Sequence, residues 1–380
     1  MTGIPTTASD HSLADVMPSI AAALGVGIRN PLSLDPSRDA VLVLIDGLGA
    51  ELIRDFADEA PTLAAMATRM ITAGFPATTA TSLTSLAVGA PCSRHGIVGY
   101  SFRISDAGGP PTTFNPLRWT LESAGGPSAM DRFPPREVQQ QPSLLELLVD
   151  EGVEVTYVMR EDFRESGLTR AAFRADGEYR PANSLDQIRH GVLDAVGGPS
   201  RTRRFVYAYF GDLDLVGHLH GPGSPKWLQS LREVDAFVAD LLTDLPRDCA
   251  LVVTADHGMI TARTIIDIDT SPSLLADVSA VAGEARVRHA YARSGSEQSV
   301  LTAWREELSG HARVLSREQA LDEQLFGPGR DHADRLGDVI AIATGGVILA
   351  RTRLEKMESS LLGHHGANTA AEQHIPLILR

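Results

Sequence analysis

The chain of 380 residues has only two cysteines, Cys92 and Cys249, too few for a disulfide framework. They read as two unpaired thiols in a reducing compartment. Positive charge is also scarce, since 34 Lys and Arg face 48 Asp and Glu and leave a net charge of -14. With no basic surplus to displace counterions, neither a nucleic acid nor an anionic membrane surface is an expected partner. A local positive site for phosphate stays open, and bound metal ions would create one. Missing too is any charge-free apolar run of membrane-spanning length. The first residues show no basic leader or long apolar core, and Asp10, His11 and Asp15 arrive early. A soluble, cytoplasmic protein is the resulting expectation.

What is present is enough apolar sequence for a large core, at 43% hydrophobic and 22% charged. Residues 12–24 have helical apolar spacing before Gly25, and residues 40–45 form a continuous apolar run that suits a strand covered on both faces. A helix is expected over 51–70, a short strand over 70–73, and a helix over 81–88 just after a threonine pair. Helix over 143–150, strand over 153–159, helix over 184–196, strand over 204–210, helix over 227–245 and strand over 250–254 continue the alternation. Such order predicts an α/β fold, a mostly parallel sheet with helices on both faces and ligands at the carboxyl ends of its strands. The pattern changes over 266–348, where strands at 287–292, 312–315 and 338–343 and a helix at 299–308 predict a smaller α+β insertion within one domain spanning 1–380. Residues 103–141, rich in Pro and Gly, read as a long ordered loop or lid.

Two strand-like runs end in carboxylates, one at Asp46-Gly47 and one at Asp256-His257-Gly258. Between and beyond them stand Phe75-Pro76-Ala77-Thr78-Thr79, Asp214 with His218, and Gly363-His364-His365-Gly366. Asp214 and His218 are four residues apart and share a face if helical. Taken singly, each is ordinary: aspartates after strands are common helix caps and a lone histidine is usually a loop residue. Taken in chain order, the set resembles the alkaline phosphatase superfamily, and within it the type I phosphodiesterase and nucleotide pyrophosphatase branch.

That resemblance implies a three-layer, alkaline-phosphatase-like fold and a phosphohydrolase using two divalent metal ions, with Zn²⁺ the expected identity. Position by position, Thr79 matches the nucleophile, and Asp46, Asp256 and His257 with the Thr79 oxygen match the ligands of one ion. Asp214, His218 and His365 match the ligands of the other. Spacing alone does not separate Thr78 from Thr79 as nucleophile, and His364 replaces His365 if the register slips by one. Tyr100 matches a substrate-contacting position at which the branch usually carries an asparagine, so a phenol replaces an amide there. The implied chemistry is cleavage of phosphodiester or pyrophosphate bonds of small, nucleotide-like phosphate esters through a phosphothreonine. The Tyr100 departure keeps monoesterase, phosphonate hydrolase and phosphomutase-like activities as alternatives, with a non-catalytic metal-binding protein behind them. A sulfatase is disfavoured because the Thr79 region lacks the Cys/Ser-x-Pro-x-Arg motif. His95 reads as structural, and His220, His332 and His374 as surface or satisfied groups. Arg94 has no motif support, Asp212 lacks a histidine four residues on, and Trp119 and Trp227 read as core or lid anchors.

Overall fold

A computed structural model describes residues 10–106, 109–122, 126–198 and 200–380. Its centre is a seven-stranded sheet of β1 (Asp39–Ile45), β2 (Arg69–Thr72), β3 (Glu154–Met159), β4 (Glu178–Pro181), β5 (Arg204–Phe210), β6 (Cys249–Thr254) and β7 (His374–Leu379). The spatial order is β2-β7-β6-β1-β5-β3-β4. Strands β6, β1, β5, β3 and β4 run parallel, and β7 runs antiparallel to β6 and β2. Every residue of β1 is buried, as a strand at the middle of a sheet with both faces covered requires. Its register pairs Ile45 with Phe210 and Leu44 with Thr254, so β1, β5 and β6 finish nearly level. Residues that follow these three strands therefore emerge side by side.

Between β6 and β7 a second, four-stranded antiparallel sheet forms from Val278–Glu284, Val287–Ala292, Val339–Ala343 and Ala312–Ser316. Val339–Ala343 is buried throughout because its alternating faces serve two cores. Val339, Ala341 and Ala343 pack with Trp304 of the helix Glu297–Glu307, whereas Ile340 and Ile342 join the main core. Arg286 and Glu372, both fully buried, tie this sheet to the loop before β7 through a two-pronged ion pair at 2.7 and 2.8 Å.

Three local expectations are corrected. The helix expected over 51–70 is two short ones, Ala50–Asp55 and Pro61–Met66, because Pro61 lacks the N–H that a continuing helix needs and instead opens a new one. The helix expected to start at 81 already starts at Thr79. Within the stretch read as a loop, Phe102–Ile104, Thr112–Asn115 and Thr120–Leu121 form a small sheet and Pro135–Val138 a helical turn; residues 107–108 and 123–125 lie outside the described ones. Aromatic burial organises this stretch: Trp119 meets Phe114 edge-on at 4.9 Å and donates its indole N–H to the Phe133 carbonyl.

Candidate metal centre and nucleophile

Two further elements complete the site. Helix α1 (Thr79–Val88) has Thr78 as its N-cap residue, and helix α2 (Asp212–His220) follows β5 after Gly211. Asp46 leaves β1 with its N–H bonded to the Phe210 carbonyl, and the chain turns at Gly47 with φ +74°. A side chain at Gly47 would lie 3.0 Å from the Asp214 Cβ, so a glycine here lets the β1 exit approach α2 closely.

The structure brings Asp46, Asp256 and His257 together as one buried group and Asp214, His218 and His365 as a second, half-buried one, each with ligand-capable atoms within 4.8 Å of one another. In the first, His257 Nε2 lies 3.3 Å from Asp46 Oδ1, 3.4 Å from Asp256 Oδ2 and 3.2 Å from Thr79 Oγ1. In the second, His218 Nε2 lies 3.2 Å from Asp214 Oδ2 and 3.3 Å from His365 Nε2. The other ring nitrogens are tied down, His218 Nδ1 to the Gly363 carbonyl at 2.8 Å and His365 Nδ1 to the Ala77 carbonyl at 2.9 Å. That leaves both Nε2 atoms directed at the cluster, the arrangement that orients imidazoles for a metal. His257 and His365 stack at 3.6 Å between ring centres, so the two clusters share a wall.

The donor chemistry fits two divalent ions. Asp46 Oδ1, Asp256 Oδ2 and Asp214 Oδ1 are buried without a hydrogen-bond partner among the described residues, a costly state for an acceptor unless a cation meets it. Burial, then the charges of Asp256 and Asp214, pushes the Asp46 carboxyl well above the usual range. Burial raises Asp256 likewise. Asp214 is buried too, yet the neighbouring His218 outweighs burial and holds it low, while burial and His257 push His365 well below the usual imidazole range. Three carboxylates this close, with only His218 held in its charged form by Asp214, form a pocket that divalent cations would neutralise.

The alternatives open in the sequence separate geometrically. Thr79 Oγ1 faces His257, whereas the Thr78 side chain lies beside Glu284. His365 joins the cluster, whereas His364 Nε2 contacts the Leu361 carbonyl at 3.1 Å. Tyr100 lines an adjoining cavity with its hydroxyl donated to Glu358 at 3.2 Å, and burial pushes its phenol up to about 12. His95 is buried against Ser85, His220 contacts Lys226, His332 contacts the Arg94 carbonyl and His374 contacts Glu51. Arg94 pairs with Asp331 at the surface, Asp212 lies near Arg160, and Trp119 and Trp227 are both buried.

Two cavities meet at Thr79 and Asp214. One, of about 320 Å³, is walled by Leu83, Phe163, Leu168, Phe173 and Tyr209. The other, of about 340 Å³, is walled by Tyr100, Arg118, Glu284, Glu355, Glu358 and His365 among others. Tyr209, which donates a hydrogen bond to Asp46, and the three glutamates were not singled out from sequence.

Candidate metal-ligating side chains gathered at the carboxyl ends of a largely parallel sheet match the fold and donor set of the alkaline phosphatase superfamily. The chain belongs to the type I phosphodiesterase / nucleotide pyrophosphatase family, which it matches over residues 40–368. It is 26% identical over 160 residues to the human GPI ethanolamine phosphate transferase 3 catalytic subunit, a match covering 40% of this chain and 14% of that protein. It is 39% identical over 61 residues to human ectonucleotide pyrophosphatase/phosphodiesterase family member 7, covering 15% of this chain and 13% of the relative. The chain thus spans only a small part of the length of these curated relatives. Murine ectonucleotide pyrophosphatase / phosphodiesterase 5 shares the fold with a TM-score of 0.67 at 19% identity, over 89% of this chain and 87% of that one. Phosphonoacetate hydrolase from Sinorhizobium meliloti 1021 does so with a TM-score of 0.65 at 19% identity, over 90% of each chain.

Proposed function

We propose that the protein is a two-metal phosphohydrolase that cleaves small phosphodiesters with Thr79 as nucleophile. The observation that carries this reading is the Thr79 hydroxyl at the edge of one buried and one half-buried cluster, each with a carboxylate oxygen that lacks a partner among the described residues. Asp46, Asp256, His257 and the Thr79 oxygen would hold one ion, and Asp214, His218 and His365 the other. Mixed nitrogen and oxygen donors with room for a further ligand favour Zn²⁺. Ions bound there would supply Lewis acidity, activating the threonine hydroxyl and water and neutralising charge on phosphoryl oxygens.

The chain's own residues define the rest. Thr79 opens a helix of ten residues, so first-turn N–H groups are available to phosphoryl oxygens beside its hydroxyl. In the first half-reaction the Thr79 Oγ–P bond forms and the P–O bond to one ester substituent breaks, releasing an alcohol. In the second, water attacks phosphorus, the Thr79 Oγ–P bond breaks and the monoester leaves. Tyr100 keeps its proton across the working pH range and donates it in a hydrogen bond to Glu358 in the substrate cavity, so it does not act as a base. The apolar and aromatic cavity of Phe163, Phe173 and Tyr209 suits a planar substituent such as a nucleobase. The murine phosphodiesterase 5 relative has been captured with AMP, which supports a nucleotide-like ester among the substrates.

A nitrophenyl nucleotide diester and a nitrophenyl monoester, each offered to the zinc-loaded protein, test the reading. Faster turnover of the diester, abolished by chelator and reduced at least about 1000-fold in Thr79→Ala, is the expected result. Undiminished turnover in Thr79→Ala would remove the nucleophile assignment, and monoester preference would remove the diesterase one.

A further inference from the structure

Away from the two histidine-containing clusters, a cavity of about 520 Å³ opens at the edge of the main sheet, where β3 and β4 meet the turn at Pro135 and the helix Gly167–Ala172. That volume suits a small molecule. The lining carries four guanidinium groups, Arg136, Arg164, Arg170 and Arg174, against two carboxylates, Glu165 and Asp176. In a chain with a net charge of -14 this is a local reversal of sign. It is confined to a concave site and does not extend into the broad basic face that a nucleic acid requires.

The four arginines are not equally committed. Arg174 is spent within the fold, with Nε on Glu146 at 2.8 Å and Nη1 on the Gln139 carbonyl at 3.1 Å. Arg136 leans on the same Glu146 at 3.1 Å, so one carboxylate serves two guanidinium groups. Arg164 has Glu161 only at 3.5 Å and Arg170 has Glu165 only at 3.7 Å, and all four of those side chains are more than half exposed. Pairs so long and so exposed are weak, and they yield to an oxyanion that a guanidinium fork can grip in two-pronged fashion. Beside them the wall is aromatic. Tyr157, Phe173 and Tyr179 line it, and the Arg164 guanidinium lies over the Tyr179 ring, 5.4 Å from its centre. The Tyr157 hydroxyl is donated to the Phe173 carbonyl at 3.1 Å and the Tyr179 hydroxyl to the Arg160 carbonyl, which fixes both rings in place. Guanidinium groups next to ring surface match a ligand that joins an oxyanion to a flat ring.

We propose that this cavity is a second ligand site, separate from the Thr79 centre, for a small phosphate-bearing molecule with a flat ring. Arg164 and Arg170 take the phosphate and the aromatic wall takes the ring. Neither three-residue metal cluster found among the described residues includes a residue of this wall, so the ligand is held there and not cleaved. The site nevertheless adjoins the Thr79 centre. Thr169 and Phe173 line both this cavity and the one of about 320 Å³ at Thr79, and Phe173 stacks on Tyr207 of the latter at 4.6 Å between ring centres.

Calorimetric titration with AMP and with pyridoxine 5′-phosphate tests the site, the two probes separating a purine from a pyridine ring as the source of the flat group. Each is titrated into zinc-loaded protein and into protein held in chelator, where metal-dependent binding at Thr79 drops out. At least one probe is expected to bind in chelator at about one molecule per chain, and to bind at least about tenfold more weakly in Arg164→Gln/Arg170→Gln. Both arginines are half exposed, so that double variant should keep the wild-type urea midpoint. Arg313→Gln/Arg330→Gln removes two exposed charges elsewhere and should keep the wild-type affinity, as should Thr79→Ala. Adenosine and pyridoxine, which lack the phosphate, should bind at least about tenfold more weakly than their phosphates. Absence of binding in chelator, or equal affinity in wild type and Arg164→Gln/Arg170→Gln, overturns the site. No turnover enters the measurement, so failure of the phosphodiesterase reading leaves the result standing.

Discussion

Replacing Glu372 by alanine tests how the second sheet and the loop that carries His365 are held together. Glu372 is fully buried, and its Oε1 accepts the Arg286 Nε–H at 2.8 Å and the Ala367 N–H at 2.9 Å. Its Oε2 accepts from Arg286 Nη2 at 2.7 Å and from the Thr369 hydroxyl at 2.6 Å. Arg286 is itself fully buried, so alanine at 372 leaves its guanidinium charge with the Val347 carbonyl as its remaining hydrogen-bond acceptor among the described residues. Removing one member of such a pair costs about 3–5 kcal/mol, far more than the pair contributes relative to apolar residues of the same shape. Urea unfolding followed by tryptophan fluorescence should show that loss at an unchanged slope. The double variant Arg286→Met/Glu372→Leu should recover most of it, because no buried charge remains unmatched. Metal affinity should fall in Glu372→Ala as well, since the loop that Glu372 braces carries His365. A cost below about 1 kcal/mol for Glu372→Ala would refute the reasoning.

Elemental analysis of the purified protein should find close to two divalent ions per chain, falling by about one in either Asp256→Asn or Asp214→Asn, and no metal in the wild type would contradict both clusters. The metal-free protein should also lose stability through Glu284 as pH rises from about 4.5 to about 8. Its carboxyl is raised from the ordinary 4.5 to about 8, so the folded state holds the proton that the unfolded chain releases. Stability from this proton is complete below about pH 4.5 and is lost as pH rises through about 8, a change of the order of a few kcal/mol that Glu284→Gln should abolish. Parallel unfolding free energies for wild type and variant between pH 5 and pH 8 would count against it.

Much of the site was legible because its parts are local. The run ending at Asp46 is apolar at every position, which only a doubly covered strand requires, and such a strand at the sheet centre delivers its following residue to the carboxyl edge. Asp214 and His218 are paired by helical spacing, and Asp256 and His257 follow a second central strand. Where local signals compete, the sequence was harder to read. The apolar spacing over 51–70 looked continuous, yet Pro61 divides it. Adjacent hydroxyls at 78 and 79 have no distinguishing spacing, and only the helix start turns Thr79 toward His257 and Thr78 toward Glu284. The acidic cavity was invisible for a different reason. Arg118, Glu284, Glu355 and Glu358 have no common motif, and the tertiary fold alone brings a hairpin tip, a small-sheet loop and a late turn to one wall.

The most direct test of the central claim is acid quenching of the zinc-loaded protein during diester turnover, followed by peptide mass mapping. The account predicts a phosphoryl adduct on Thr79, absent from Thr79→Ala and from protein quenched before substrate addition. An adduct on Thr78, or none at all while turnover proceeds in the burst phase, would contradict it.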